Sequence, residues 1–185
     1  MKAKNIYLAE SFNRVRPAMP RVLSVHSSTS HRFSKEARSS IRLISGVGVF
    51  ADAHAGELDQ HRYHVKKFGA QPNLRQVHLL PAELFATLAH AGYEIRPGEL
   101  GENICTQGID LLSLPERTRL HICATAVVEL TGLRNPCSQI NKFTPGLASK
   151  LVEKSADSLI RRAGVMGIVV RDGTVTTAKE YPWSS

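Results

Sequence analysis

The sequence predicts a mainly β protein, a closed or partly open β-barrel with a few short peripheral helices. Three observations point there. Short apolar segments of strand-like composition recur along the chain, glycine and proline break them at close intervals, and few stretches carry an apolar stripe at helical spacing. Many short strands with frequent turns favour a barrel or sandwich over a parallel α/β sheet.

"RVLSVHSS" from Arg21 starts the first apolar strand, and "SSIRLISGVGVF" reads as a second that breaks at Gly46 and Gly48. "LRQVHLL" is a third. A helix follows in "PAELFATLAHAG": Pro81 suits a first turn, Glu83 lies near the positive end of the helix dipole, Leu84, Phe85 and Leu88 form a stripe, and Gly92 closes it. "RPGELGENICTQGIDLLSLP" carries a short strand near Ile104. "RLHI" and "AVVEL" then alternate across a turn at Cys123 to Thr125, as a hairpin does. From Gly146 to about Arg162, Leu147, Leu151 and Leu159 have helical spacing, with a break near Ser155. "GVMGIVV-RDG-TVTT" reads as a hairpin turning at Asp172-Gly173.

The chain has 185 residues, 42% of them hydrophobic, which suits one domain of ordinary size with a buried core. Residues 1–20 read as a basic N-terminal arm and residues 21–185 as a single barrel domain. No apolar run is long enough to span a bilayer and the N-terminal segment has no apolar signal-peptide core, so a cytoplasmic location without membrane attachment is expected. Of the net charge of +8, residues 1–45 contribute nine Lys or Arg against two acids, leaving 15 against 14 for the rest. That basic segment lacks interleaved aromatics and a continuous basic helix, which argues against nucleic acid as a partner.

The three cysteines, Cys105, Cys123 and Cys137, form no CxxC pair and favour neither a disulfide framework nor a structural zinc site. Cys137, in "TGLRNPCSQI", is the one with a distinctive setting. Pro136 lifts the segment out of the preceding strand into a loop, and Arg134 is near enough in sequence to stabilise a thiolate, the form that binds metals or carries persulfide sulfur. The competing reading is a small buried hydrophobe. Cys105, on the "ENIC" strand, and Cys123, at a hairpin turn, read as structural. His54, His61 and His64 with Asp52 and Asp59 could suggest a metal, yet no HExxH-like signature organises them. "ADAHAG" is either a close-approach loop presenting Asp52 and His54 to a ligand or a turn in which Asp52 bonds local amides. In "PGELGENI", turn amides could receive an anion, and Asn103 could bond either a ligand or the loop.

Taken in order, "GVGVFADAHAG", "RQVHLL", "GELGENI" through "NPCSQI" and "RRAGVMGIVV" closely resemble the MOSC family, over about residues 21 to 175. The spacing from Asn103 to Cys137 is the most specific part. The resemblance implies a β-barrel-like fold and a molybdenum cofactor (molybdopterin), with Cys137 ligating molybdenum or carrying sulfur. It makes Arg134, Lys142, Arg161 and Arg162 candidates for the cofactor's phosphate, and Asn103, Asp52 and His54 candidates for the ligand loops. If the chain is an enzyme, the resemblance implies a molybdenum-dependent oxidoreductase acting on N-hydroxylated small molecules. The alternative is a persulfide carrier, sulfurtransferase-like, delivering sulfur to metal-sulfur centres. Pyridoxal phosphate enters only as a family-level association. With neither a pyridoxal phosphate domain nor a ferredoxin-like cysteine cluster, the sulfur donor (a cysteine desulfurase) or electron-transfer protein is expected to be a separate partner. Two departures stand out: an alanine replaces the glycine usual before Asp52, and "TVTTAKEYP" stands where the family often has a Gly-Asp pair.

Overall fold

The computed structural model describes residues 20–60, 65–67, 69–154 and 159–177; residues 1–19 of the expected 1–20 arm and the expected break near Ser155 lie outside them. In chain order the strands and helices are β1 (Arg21–Ser27), β2 (Glu36–Arg38), β3 (Ser40–Ile44), β4 (Gly48–Val49), β5 (Val77–Pro81), α1 (Glu83–His90), β6 (Ile104–Gln107), β7 (Arg119–Ile122), β8 (Ala126–Leu133), α2 (Ser138–Phe143), α3 (Leu147–Lys150), β9 (Val152–Lys154), β10 (Leu159–Arg161), β11 (Val165–Arg171) and β12 (Gly173–Thr176). A curled seven-stranded sheet runs β2-β1-β6-β5-β11-β8-β7, and a three-stranded sheet, β12-β3-β4, packs over its concave side; β9 and β10 pair separately. The barrel is therefore partly open. No helix among the described residues is long and apolar enough to cross a membrane.

Period-two alternation explains where the core lies. On β5, Val77 and Leu79 face the barrel interior with Val25, Leu43, Ile104, Val128 and Val169, while Leu80 faces a second core outside the sheet. Every residue of β5 is buried because both its faces are covered. The outer core takes Leu84 and Leu88 of α1, Ile140 of α2, and Leu147 and Leu151 around α3. Packing through Ile140 fixes the position of α2, and thus of Cys137 just before it.

Two expected elements differ. The Asp172-Gly173 step is a crossing between sheets: β11 pairs with β5 and β8, whereas β12 pairs with β3. Asp172 accepts a hydrogen bond from the Ser45 amide at 2.7 Å. Gly173 is required because a Cβ there would collide with the Ala126 backbone. Among the described residues of the 146–162 segment, Leu147–Lys150 are helical, and Val152–Lys154 and Leu159–Arg161 form β9 and β10. Leu147 and Leu151 are buried, but Leu159 is 46% exposed, so the helical spacing continued beyond the face that packs.

Candidate functional site

The loop after β4 returns toward the β1–β6 pair and buries one carboxylate. Asp52 Oδ2 accepts from Lys35 Nζ at 2.8 Å, from the Ser28 amide at 3.2 Å and from Asn103 Nδ2 at 3.2 Å. Its Oδ1 accepts from the His54 amide at 3.0 Å and lies 3.2 Å from His54 Nδ1. Burial opposes the charge of Asp52, but the bonds from His54 and Lys35 outweigh it and hold the carboxyl well below its ordinary range. Lys35 is the buried counter-charge, its side chain only 6% exposed; burial lowers its pKa and Asp52 works against that fall. The local-turn reading of "ADAHAG" thus holds, and the same carboxylate also clamps two distant segments. Ala51 adopts a left-handed φ of 59°.

Asn103 is committed to the protein: its Oδ1 accepts from the His78 amide at 3.2 Å, and its Nδ2 donates to the His26 carbonyl and to Asp52. In the preceding loop, Glu102 is fully buried and accepts the Gly98 amide, so the anion received by that loop is the chain's own. Burial raises the Glu102 pKa, and one of its oxygens has no protein partner. Gly98 has φ of 91°, and a Cβ there would lie 2.6 Å from the Lys35 carbonyl. Only glycine allows the β1–β2 connection to press onto this loop.

Above this clamp opens a cleft lined by Cys137, Arg134, Arg75, His54, Asn103 and His78, with Arg32 and Lys35 contributing further cations. Cys137 is half-buried, in extended conformation at the start of α2, with its carbonyl accepting the Ile140 amide at 3.1 Å. Both guanidiniums lie within electrostatic reach of its sulfur: burial lowers the pKa of Arg134 and of Arg75, and a thiolate at Cys137 would counter the fall in each. Arg134 Nη1 also donates to the Leu100 carbonyl at 2.9 Å, and its amide to the Gly164 carbonyl at 2.9 Å. His78 is held neutral by burial, its Nε2 2.8 Å from the Ala163 carbonyl. The enclosed part of the cleft measures about 90 Å³, room for a metal and its immediate ligands, and a larger ligand would extend along the open side.

The fold thus brings Cys137, Arg134, Asn103 and His54 together, with Asp52 beneath them. It places Lys142 exposed in the last turn of α2 and Arg161 on β10, while Arg162 lines a separate hollow beside α1. Cys105 is fully buried and its thiol pushed up to about 12, chiefly by that burial. Cys123, expected to pack, is instead exposed, with φ of 52°. Local sequence reading missed Arg75, Lys35, Arg32 and His78. The available signal was the "RQVHLL" segment, which carries Arg75 and His78 just before and within a strand buried on both faces. His61 and His64 lie outside the described residues, and among those described no three His, Cys, Asp or Glu residues gather as a metal cage. Among the described residues, Cys137 is thus the one thiol that the cleft offers a metal. The donor set, one soft sulfur among several cations, fits a metal carried by a phosphorylated group.

The family model described as "MOSC domain" matches residues 54–180. Among solved structures, YuaD protein from Bacillus subtilis is similar with a TM-score of 0.71 and 24% identity, over 86% of this chain and 92% of that one. YiiM from Escherichia coli has a TM-score of 0.56 and 16% identity over 84% of this chain and 65% of its own. YiiM from Geobacillus stearothermophilus has 0.57 and 13% over 85% and 71%. No curated protein matches the sequence.

Proposed function

Because the chain belongs to the MOSC domain family, known in molybdenum-cofactor-related proteins and associated with that cofactor, we propose that its cleft holds molybdenum cofactor with Cys137 as the protein's ligand to the metal. The observation that carries this reading is the meeting of one half-buried sulfur and two guanidiniums in a single cleft. A soft thiolate suits molybdenum, and the neighbouring cations compensate its charge. Arg75 and Arg134 would take the cofactor's phosphate, since planar guanidinium forks match phosphate oxygens. Asp52 keeps the floor of the cleft in place by joining Lys35, His54 and Asn103.

When bound, the cofactor supplies oxygen-atom chemistry at the metal, which suits reduction of a small N-hydroxylated substrate. The chain binds and orients, with neutral His78 and the guanidiniums bounding the space in which substrate would sit. A cytoplasmic protein of this kind would draw electrons from a separate partner. The second reading is sulfur carriage, favoured by the absence of another cysteine from the cleft: Cys105 is buried in the outer wall and Cys123 lines a different cavity. There Cys137 would hold a persulfide received from a separate cysteine desulfurase.

Anaerobic purification followed by metal analysis and intact mass measurement tests both. Molybdenum together with a pterin is expected, and lost when Cys137 is alkylated beforehand. A mass gain of one sulfur atom mapped to Cys137, without molybdenum, supports carriage instead. Neither species, from cells making the cofactor, overturns the cofactor reading.

A further inference from the structure

The two oxygens of the buried Asp52 carboxylate are divided between two tasks. Oδ2 holds the cleft floor through Lys35, Ser28 and Asn103, while Oδ1 serves His54, accepting its amide at 3.0 Å and lying 3.2 Å from its ring Nδ1. A carboxylate kept ionised makes that ring nitrogen the donor, so the neutral imidazole carries its proton on Nδ1 and leaves Nε2 as a bare acceptor. The backbone behind the ring is fixed as well, because the His54 carbonyl accepts from Asn73 Nδ2 at 3.0 Å. His31 stands edge-on to the ring, with centroids 5.1 Å apart.

His54 lines the cleft with its side chain 30% exposed, and Nε2, on the ring edge away from Asp52, has no partner among the described residues. The other titratable groups of the cleft are differently placed. His78 is buried and has its Nε2 2.8 Å from the Ala163 carbonyl. Lys35 is committed to Asp52, and Asp59 is the acid beside Arg75. The arginines stay protonated at neutral pH and exchange no proton with a substrate. Cys137 is the metal's ligand in the reading above. A ring tethered at one nitrogen and open to the cleft at the other is therefore particular to His54 among these groups.

We propose that His54 is the proton-transfer residue of the cleft, positioned by Asp52 and passing its proton from Nε2 to the oxygen that leaves an N-hydroxylated substrate. The assignment rests on the reductase reading of the cleft. Reduction of R–NHOH to R–NH2 takes two electrons, which reach the substrate from the reduced molybdenum cofactor, and two protons, and releases water. Hydroxide is a poor leaving group, so a positioned acid lowers the barrier. In the protonated ring the Nε2–H bond breaks, the leaving oxygen gains that hydrogen, and the N–O bond breaks with departure of water. The second proton goes to the substrate nitrogen. Nδ1 keeps its own proton on Asp52 throughout, and Nε2 is recharged from solvent.

The tautomer can be read without any cofactor. In the full chain labelled with nitrogen-15, at about pH 8.5 where an ordinary imidazole is neutral, long-range proton–nitrogen correlation should show the ring that disappears in His54→Gln as the Nδ1–H form. Glutamine keeps a donor for Asp52 but cannot pass a proton. Molybdenum-loaded His54→Gln should therefore keep its metal and keep KM for benzamidoxime, an N-hydroxylated amidine, within about 2-fold of the parent, while kcat with reduced methyl viologen as electron source falls about 100-fold or more. A residue that only held the loop would lower metal content or raise KM instead. The Nε2–H form in the parent, or an equal kcat in molybdenum-replete His54→Gln, would overturn the assignment to His54 alone. A parent that holds molybdenum and reduces no benzamidoxime would remove the reductase reading, and the assignment with it.

Discussion

The two ends of the barrel solve opposite physical problems with the same strands. At the mouth where Arg21 pairs with Gln107, β1, β6 and β7 border a cavity walled mostly by aliphatic side chains. At the cleft, the floor packs Lys35, Asp52, Glu102 and His26 at or near full burial, with Arg75 and Arg134 half-buried above them. Aliphatic side chains fill the interior between, and a barrel could be closed at both ends that way. Buried ion pairs are weak contributors to stability and are often replaceable by packed apolar groups. That the described residues hold such a set at one end only, around the one half-buried cysteine, argues that the charges serve that end's chemistry.

Removing one partner from the cluster should break the contrast most severely. Asp52→Ala leaves Lys35 buried without its counter-charge and frees the loop from Ser28, His54 and Asn103, and should cost about 3–5 kcal/mol in chemical denaturation. Adding Lys35→Met in the same chain should recover a large part of that loss. A cost under about 1 kcal/mol would mean that the pair does not hold the cleft floor.

Acid should separate the two ends next. Burial, then the positive charge of Lys35, lowers His26 from 6.5 to about 4, and its Nδ1 has no partner. Between those values the unfolded chain binds the proton and the folded chain does not, so stability rises with pH across that window and falls on acidification, by about 3 kcal/mol. Neutral, buried His78 acts in the same direction, while Glu102, whose pKa burial raises, acts against it and tempers the decline. Asp52, depressed in the folded state, adds to the loss only as the pH falls into and below the ordinary carboxylate range, where the unfolded chain protonates first. Denaturation curves from pH 7 to pH 4 should show the decline, and His26→Gln should flatten it; an equally steep profile in that variant would remove His26 as its source.

The smallest effect expected is a gain. Ala51 holds a left-handed φ of 59°, a conformation costing an alanine about 1 kcal/mol or slightly more. Ala51→Gly should therefore raise stability by about 0.5–1 kcal/mol, less the entropy that glycine adds to the unfolded chain. Loss of stability would place the strain elsewhere.

Sequence patterns carried the elements whose stabilisation is local or one-sided. The α1 stripe of Leu84 and Leu88 and the β7–β8 turn at Cys123 to Thr125 stand where periodicity and turn chemistry put them. Asp172-Gly173 failed as a turn because its glycine answers a steric demand from Ala126, a contact between residues distant in sequence. Leu159 misled for a related reason: spacing reports a possible face, and only packing decides where burial stops. At the site, Cys137 with Arg134 was legible because one short segment carries both. Arg75 and Lys35 were not, since they arrive from other segments and meet Cys137 or Asp52 only in the folded barrel. The exposure of Cys123 was equally hidden, because nothing in "HICATAV" indicates whether the tight turn points inward or out.

Molybdenum content of Cys137→Ser, measured beside the parent chain and Cys105→Ser after anaerobic purification from cells that make the cofactor, tests the central claim most directly. Serine at the residue preceding α2 is a favourable helix cap, so Cys137→Ser should fold, as circular dichroism would verify, while its hard hydroxyl fails to replace the soft sulfur. Cys105→Ser shrinks a fully buried side chain and trades a weakly solvated thiol for a hydroxyl beside Ser24, and should lose about 1–3 kcal/mol of stability. The account predicts molybdenum lost from folded Cys137→Ser and kept, per folded molecule, in Cys105→Ser; full molybdenum in Cys137→Ser with none in Cys105→Ser would contradict it.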